Sequence, residues 1–229
     1  SLLKDETVES ENIESYQLKI LVKTAFNNAD EIDFRCFLDA IVTCSKQLCA
    51  YRFELTSLVN FILESNALFL LNSLCPEKNT INTELFEAIV HIFHSKKLFT
   101  DKLSISNVLD WCLIDPEIRF NCIAQLFVPY VHQDGVFYWT ELALEIINNC
   151  TDVDLVLGKM VEHFIPRRWS GSRATKMETK RPLLAALVPS ARIDVSTAAA
   201  KYINIFDRKI VCMKESELKK FREEEERFE

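Results

Sequence analysis

The sequence predicts an all-α protein, an array of antiparallel helix pairs, and three observations predict it. Glycine occurs only three times in 229 residues, whereas hairpins and phosphate-cradling loops draw on glycine for positive φ. Apolar residues recur at helical spacing through most of the chain, which is the pattern of helices with one buried face. The segments between these runs are short and polar, with Asn, Asp, Ser or Pro at the points where one run stops and the next begins.

Taken in order, Ser1 to about Glu9 is polar and carries no periodicity, and the first helix holds Ile13, Tyr16, Leu18, Ile20, Leu21, Ala25 and Phe26 before Asn27-Asn28 ends it. Asp30 or Asp33 caps a second helix over 33–52, because a short acceptor side chain satisfies the free N–H groups of a first turn. A third, over 54–75, bends near Ser65-Asn66 and is apolar on most sides, as a helix buried between neighbours is. Pro76 to Asn79 forms a loop, and Thr80 or Asn82 caps a helix over 82–97. A short helix runs from Ser104 or Ser106 to about Leu113. Asp115-Pro116-Glu117 opens the next, combining a capping acceptor, a proline at the first helical position and an acid at the positive helix end. That helix spans 116–132, is kinked or stopped early by Pro129, and is closed off by Gly135. Helices over 138–149 and 152–164 follow, the latter capped by Thr151. Leu183 to Val188 is a short apolar helix broken by Pro189-Ser190. Asp194 or Ser196 caps a last helix, whose apolar positions include Ala198, Ala199, Tyr202, Phe206, Ile210 and Val211 and whose end beyond Lys214 is charged and solvated.

Successive helix pairs repeat at roughly 40 residues, a spacing similar to that of HEAT and armadillo arrays. The resemblance is architectural, without diagnostic residues or an internal sequence match, and it implies an α-solenoid; a compact helical bundle is the alternative. Net charge is −7 but unevenly spread: residues 1–158 hold 11 Lys and Arg against 23 Asp and Glu, and residues 159–229 hold 16 against 11. The chain therefore divides into an acidic helical array (1–165), a basic linker (166–182) and a C-terminal segment, first basic and then of mixed charge (183–229).

The eight cysteines form no CxxC pair and sit mostly in apolar helical runs. They read as buried free thiols in a reducing compartment, which implies an intracellular protein, nuclear or cytoplasmic. No apolar run approaches the roughly 18 residues of a membrane span, and the N-terminus shows no signal peptide. The chain starts without methionine and stops within a charged helix, so it reads as a piece of a longer protein.

For catalysis, the sequence offers no nucleophile elbow, HExxH, glycine-rich phosphate loop or paired-carboxylate signature. Of its histidines, His91 and His94 share one helix, and His132 and His163 fall at the ends of two others. Glu87, His91 and His94 share one helix face at i, i+4 and i+7, but that face is the polar side of the helix and no fourth ligand is in view. We therefore expect no enzyme, metal, cofactor or small-molecule substrate. Trp111 reads as part-buried, and Tyr138-Trp139 as the opening of a helix.

The stretch Pro166 to Pro182 stands apart. Arg167, Arg168, Arg173, Lys176, Lys180 and Arg181 are six cations against the single acid Glu178, with Trp169 among them. Ser170, Gly171, Ser172, Thr175 and Thr179 give it a loop-like composition. It can contact phosphates, with Trp169 stacking on a base, or an acidic protein surface, including the chain's own first part. Arg167-Arg168 and Lys180-Arg181 also form a weak bipartite import pattern, and Arg167-Arg168-Trp169-Ser170 matches the RRxS pattern of basophilic kinases, which makes Ser170 a candidate phosphosite. The expected function is a non-catalytic helical scaffold or adaptor domain of a larger protein within a multi-subunit complex. Its acidic array would bind a protein with a basic surface. The alternative is a nucleic-acid-associated factor working through 166–182.

Overall fold

The computed structural model describes residues 31–47, 52–93, 104–166 and 169–226. The chain divides into two units, Ser1–Ser104 and Ile105–Glu229. The described chain is mainly helical, with one two-stranded hairpin. The first expected helix, Ile13 to Phe26, lies outside the described residues.

Within the first unit, α1 (Glu31–Gln47) packs on α2 (Arg52–Leu74) and α3 (Thr83–Phe93). The bend expected in α2 falls on Asn66, whose backbone is extended. Its side chain accepts from Phe69 N at 3.1 Å, so it acts as an internal cap from which the second half of the helix restarts. Val59, Ile62, Leu63, Leu70, Leu71 and Leu74 are all buried, and their spread around the helix explains why α2 shows no single apolar stripe. Of the two proposed caps of α3, Asn82 fills the role: its side chain accepts from Leu85 N at 3.2 Å. Thr80 instead closes the preceding turn onto Glu77, donating to its carbonyl at 2.8 Å.

The second unit opens with α4 (Ile105–Ile114) and α5 (Pro116–Leu126). Trp111 is buried, not part-buried. The buried Arg119 lies over its ring at 4.7 Å and donates to its carbonyl at 3.0 Å. Pro116 opens α5 as expected, but Asp115 makes no side-chain capping bond to the first turn.

The largest departure from expectation follows. The helices drawn over 116–132 and 138–149 each lose residues to a hairpin, β1 (Tyr130–Gln133) paired antiparallel with β2 (Val136–Trp139). Pro129 ends the first helix at Leu126 rather than kinking it. At the turn, Asp134 and Gly135 take φ of +50° and +83°. A two-residue hairpin loop of the I′ kind demands positive φ at both positions, and Asp-Gly is a preferred pair for it. Tyr138-Trp139 is consequently strand, and Thr140 caps α6 (Glu141–Asn149) by accepting from Ala143 N at 3.1 Å. For α7 (Val153–Glu162) the cap is Asp152, accepting from Leu155 N at 2.9 Å, not Thr151.

The loop-like composition of the basic stretch also misleads. Residues Arg173–Glu178 form α8 and Arg181–Leu187 form α9, because Ser172 caps α8 (Thr175 N to Oγ, 3.1 Å) and Pro182 fits the start of α9. The last helix, α10 (Ile193–Glu225), has 33 residues, about 50 Å at 1.5 Å per residue. It packs on α7, α8 and α9. An aromatic cluster joins hairpin and helices: Phe164 meets Tyr130, Trp139 and Phe206 at centroid distances of 5.7, 5.6 and 5.8 Å. Trp139 Nε1 donates to Leu183 O at 2.7 Å, and Tyr130 Oη donates to His163 O at 3.1 Å.

The cysteines divide by position. Cys75, Cys112, Cys122 and Cys150 are buried free thiols, Cys36 and Cys212 are exposed free thiols, and the side chains of Cys44 and Cys49 lie outside the described residues.

Candidate functional site

The described part of the basic stretch is built into the second unit, and three of its four described cations, Arg173, Lys180 and Arg181, are engaged there. Arg167 and Arg168 lie outside the described residues. Trp169 is 46% exposed, and the Arg173 guanidinium stacks over its ring at 4.4 Å. Ser170 and Lys176 are exposed. Lys180 is only 7% exposed. Its ammonium donates to Phe164 O at 3.0 Å and lies 5.1 Å from the Tyr130 ring centre and 5.8 Å from that of Phe137. Burial first, and the Lys176 charge second, push its pKa down to about 8. Arg181 is exposed, and its guanidinium grips Asp207 of α10 with two bonds of 2.7 and 2.9 Å.

The same pattern continues along α10. Lys201 pairs with Asp154 of α7 at 2.6 Å, and Lys214 pairs with Glu178 of α8 at 2.5 Å. Glu217 covers the start of α8: Oε1 accepts from Arg173 N at 2.6 Å and Ala174 N at 3.3 Å, and Oε2 accepts from the Ser172 hydroxyl at 2.7 Å. The hydroxyl bond, and then the backbone bonds, hold the Glu217 carboxyl below the ordinary carboxylate range. Arg192 closes the end of α6 by donating to the carbonyls of Ile147, Asn148 and Cys150. The partners of these cations are thus acids, carbonyls and aromatic rings of the same unit, among them Asp207, Glu178 and Trp169. Sequence composition alone could not assign them, since Lys180 reaches a carbonyl 16 residues away and the Arg181–Asp207 and Lys214–Glu178 pairs span 26 residues or more.

A second feature emerges where these grips end. After Ile210 no described residue of α10 is buried. Val211, Leu218 and Phe221, spaced i, i+7 and i+10, are 53%, 58% and 59% exposed, and that spacing places them along one side of the helix. The charged composition of this segment masks the stripe running through it, although its spacing is legible in the sequence.

In the first unit a groove of about 430 Å³ lies between α1, α2 and α3, floored by Leu38, Val42, Phe69 and Leu85 and rimmed by Arg35 and Asp39. Its lining includes no histidine or cysteine. Glu87 is exposed on α3, while the side chain of His91 and all of His94 lie outside the described residues. Among the described residues no three His, Cys, Asp or Glu come together to hold a metal ion, and no described helix is long and apolar enough to cross a membrane. His163 is half-buried, and burial lowers its pKa.

Comparisons with protein-family models, with curated proteins and with solved structures find no match to this chain.

Proposed function

We propose that the chain is a non-catalytic scaffold or adaptor domain of a larger intracellular protein, nuclear or cytoplasmic, which binds another protein within a multi-subunit complex. In this reading its helices form an irregular array of antiparallel pairs of the HEAT or armadillo kind, with acidic faces that suit a partner of basic character. The observation that carries the reading is the exposed stripe Val211, Leu218 and Phe221 on the outer half of α10. A helix that is held by its own domain through Lys214 and Glu217 and still exposes three large apolar side chains is suited to lie in the groove of a partner. Large apolar side chains concentrate binding energy when they fill such a groove.

Affinity purification with the intact chain, beside L218D/F221D, tests this reading. The wild type is expected to retain a specific protein that the variant loses, with helix content unchanged. Equal recovery by both chains would remove α10 from the interface.

The nucleic-acid reading draws less support, because Arg181, Lys201 and Lys214 are paired and Lys180 is buried. Among the described residues Lys176, Arg208 and Lys209 are exposed, and they would share that role with Arg167 and Arg168. Absence of binding to short RNA and DNA at 50 mM salt would remove that alternative, since phosphate contacts are strongest at low salt.

A further inference from the structure

The turn ahead of α8 carries two serines with different fates. Ser172 is engaged on both sides, accepting from Thr175 N and donating to Glu217. Ser170 is exposed, lies in a non-helical run, makes no hydrogen bond among the described residues, and is followed by Gly171 at φ +74°. In the sequence Arg167 and Arg168 precede it by three and two positions. A kinase takes its substrate as an exposed, locally unstructured segment, and of the two hydroxyls only that of Ser170 is free of the α8 cap. We propose that Ser170 is a phosphorylation site for a basophilic serine kinase, and that phosphate there loosens the grip of α8 on the outer half of α10.

The transfer uses Mg·ATP. The Ser170 Oγ forms a bond to the γ-phosphorus, the bond from that phosphorus to the β,γ-bridging oxygen breaks, ADP leaves, and the hydroxyl proton passes to the kinase's base. The product carries close to two negative charges at pH 7. It stands two residues from Ser172, whose hydroxyl, with the N–H groups of Arg173 and Ala174, holds the Glu217 carboxylate. Two effects then act in one direction. The phosphate repels Glu217, and it draws on the Arg173 guanidinium, the nearest described cation in sequence, which now stacks on Trp169.

The α8 helix has six residues, too short to hold its shape without such contacts. The outer half of α10 is tied to it through Glu217 and through the Lys214–Glu178 pair. Weakening the first tie leaves an exposed ion pair, which contributes little by itself. The modification would therefore turn a docked helix end into a more mobile one. This inference stands whether or not the partner surface proposed above is correct, because its readout is within the chain.

The test treats the intact chain with a basophilic serine kinase and Mg·ATP, maps the phosphate by mass spectrometry, and follows amide exchange in 173–178 and 211–222. The expected result is a phosphate on Ser170 that S170A abolishes, with exchange in both segments faster by about two- to fivefold, the range an exposed charge contact supplies. In E217Q, which has no carboxylate to repel, phosphorylation is expected to add a smaller acceleration than in wild type. A folded chain that takes no phosphate on Ser170 would overturn the proposal. So would phosphorylation without change in exchange, or an equal rise in E217Q.

Discussion

Raising the pH from 7 to 9 is expected to stabilise the second unit, and Lys180 is the reason. Its ammonium is buried with one carbonyl, two aromatic faces and no carboxylate. Of the titratable groups around it, Lys176 on α8 and His163 at the end of α7 can only add positive charge, and Tyr130 on β1 is neutral in this range. Burial brings the folded pKa to about 8 from 10.5. Below pH 8 both the folded and the unfolded chain hold the proton, and the folded state bears the full cost of a poorly solvated charge. Between 8 and 10.5 the unfolded chain still holds it while the folded chain has released it, so stability rises with pH through that window. One proton of difference sets a limiting slope of about 1.4 kcal/mol per pH unit. The titration is only partial over pH 7 to 9 and the site keeps some contact with solvent, which leaves about 1 kcal/mol of gain. Two groups oppose the trend higher up: desolvation raises the buried Cys150 to about 11 and the half-buried Tyr130 to about 12. The unfolded chain releases those protons first, so they lower stability above pH 9 and pH 10 respectively. The assay is urea unfolding of wild type and K180M at pH 7, 8 and 9 under reducing conditions, compared at constant m. Wild-type stability that is flat or falling over this range, or a K180M chain that rises as steeply as wild type, would refute the reasoning.

Other perturbations probe separate parts of the fold. A methyl group at Gly158 would meet the Tyr202 ring at 2.9 Å from Cζ and crowd its hydroxyl, which donates to Asp154 O. G158A is expected to cost about 1–3 kcal/mol in urea unfolding, and much less in a Y202A background, where the clash is gone. At Gly135 a Cβ meets nothing within 4 Å, so G135A isolates the backbone cost of positive φ, about 1–2 kcal/mol. A mild thiol reagent mapped by peptide mass is expected to label Cys36 and Cys212 in the native chain and to reach Cys75, Cys112, Cys122 and Cys150 only as the chain opens.

Local signals in the sequence transferred well to the fold, and long-range ones did not. The bend at Asn66 and the stop imposed by Pro129 follow from the backbone habits of single residues, and the structure has both. The hairpin was equally legible: Asp134-Gly135 stands between two runs rich in aromatic and β-branched residues, a strong short-range hairpin signal. The scarcity of glycine across the chain outweighed it, although one hairpin needs only one. The fate of the cations is a different matter. Nothing near Lys180 in sequence says that it will be buried against Phe164, 16 residues earlier, and nothing near Arg181 points to Asp207.

That difference bears on how a basic stretch should be weighed. Charge counted along the chain suggests a patch available to phosphate, but what a ligand meets is the charge left after folding. Asp207 accepts two bonds from Arg181, Glu178 takes Lys214, and Lys180 is withdrawn from solvent altogether. An incoming phosphate would have to displace carboxylates that are already well placed, and breaking each exposed pair costs up to about 1 kcal/mol, which is subtracted from what the phosphate contact supplies. The apolar stripe on α10 has no competitor of this kind. Val211, Leu218 and Phe221 face solvent, and covering them releases free energy in proportion to the area removed from water. The arginine- and lysine-rich segment is therefore better placed to position α10, through α8 and α9, than to bind a ligand itself. On the function proposed above, charge-reversing Asp207 or Glu178 should weaken partner binding by less than removing Phe221, since each exposed pair contributes under about 1 kcal/mol, while leaving the stripe chemically intact. Loss of binding in F221D together with full binding in D207K would separate the two roles and show that the stripe works without its basic support.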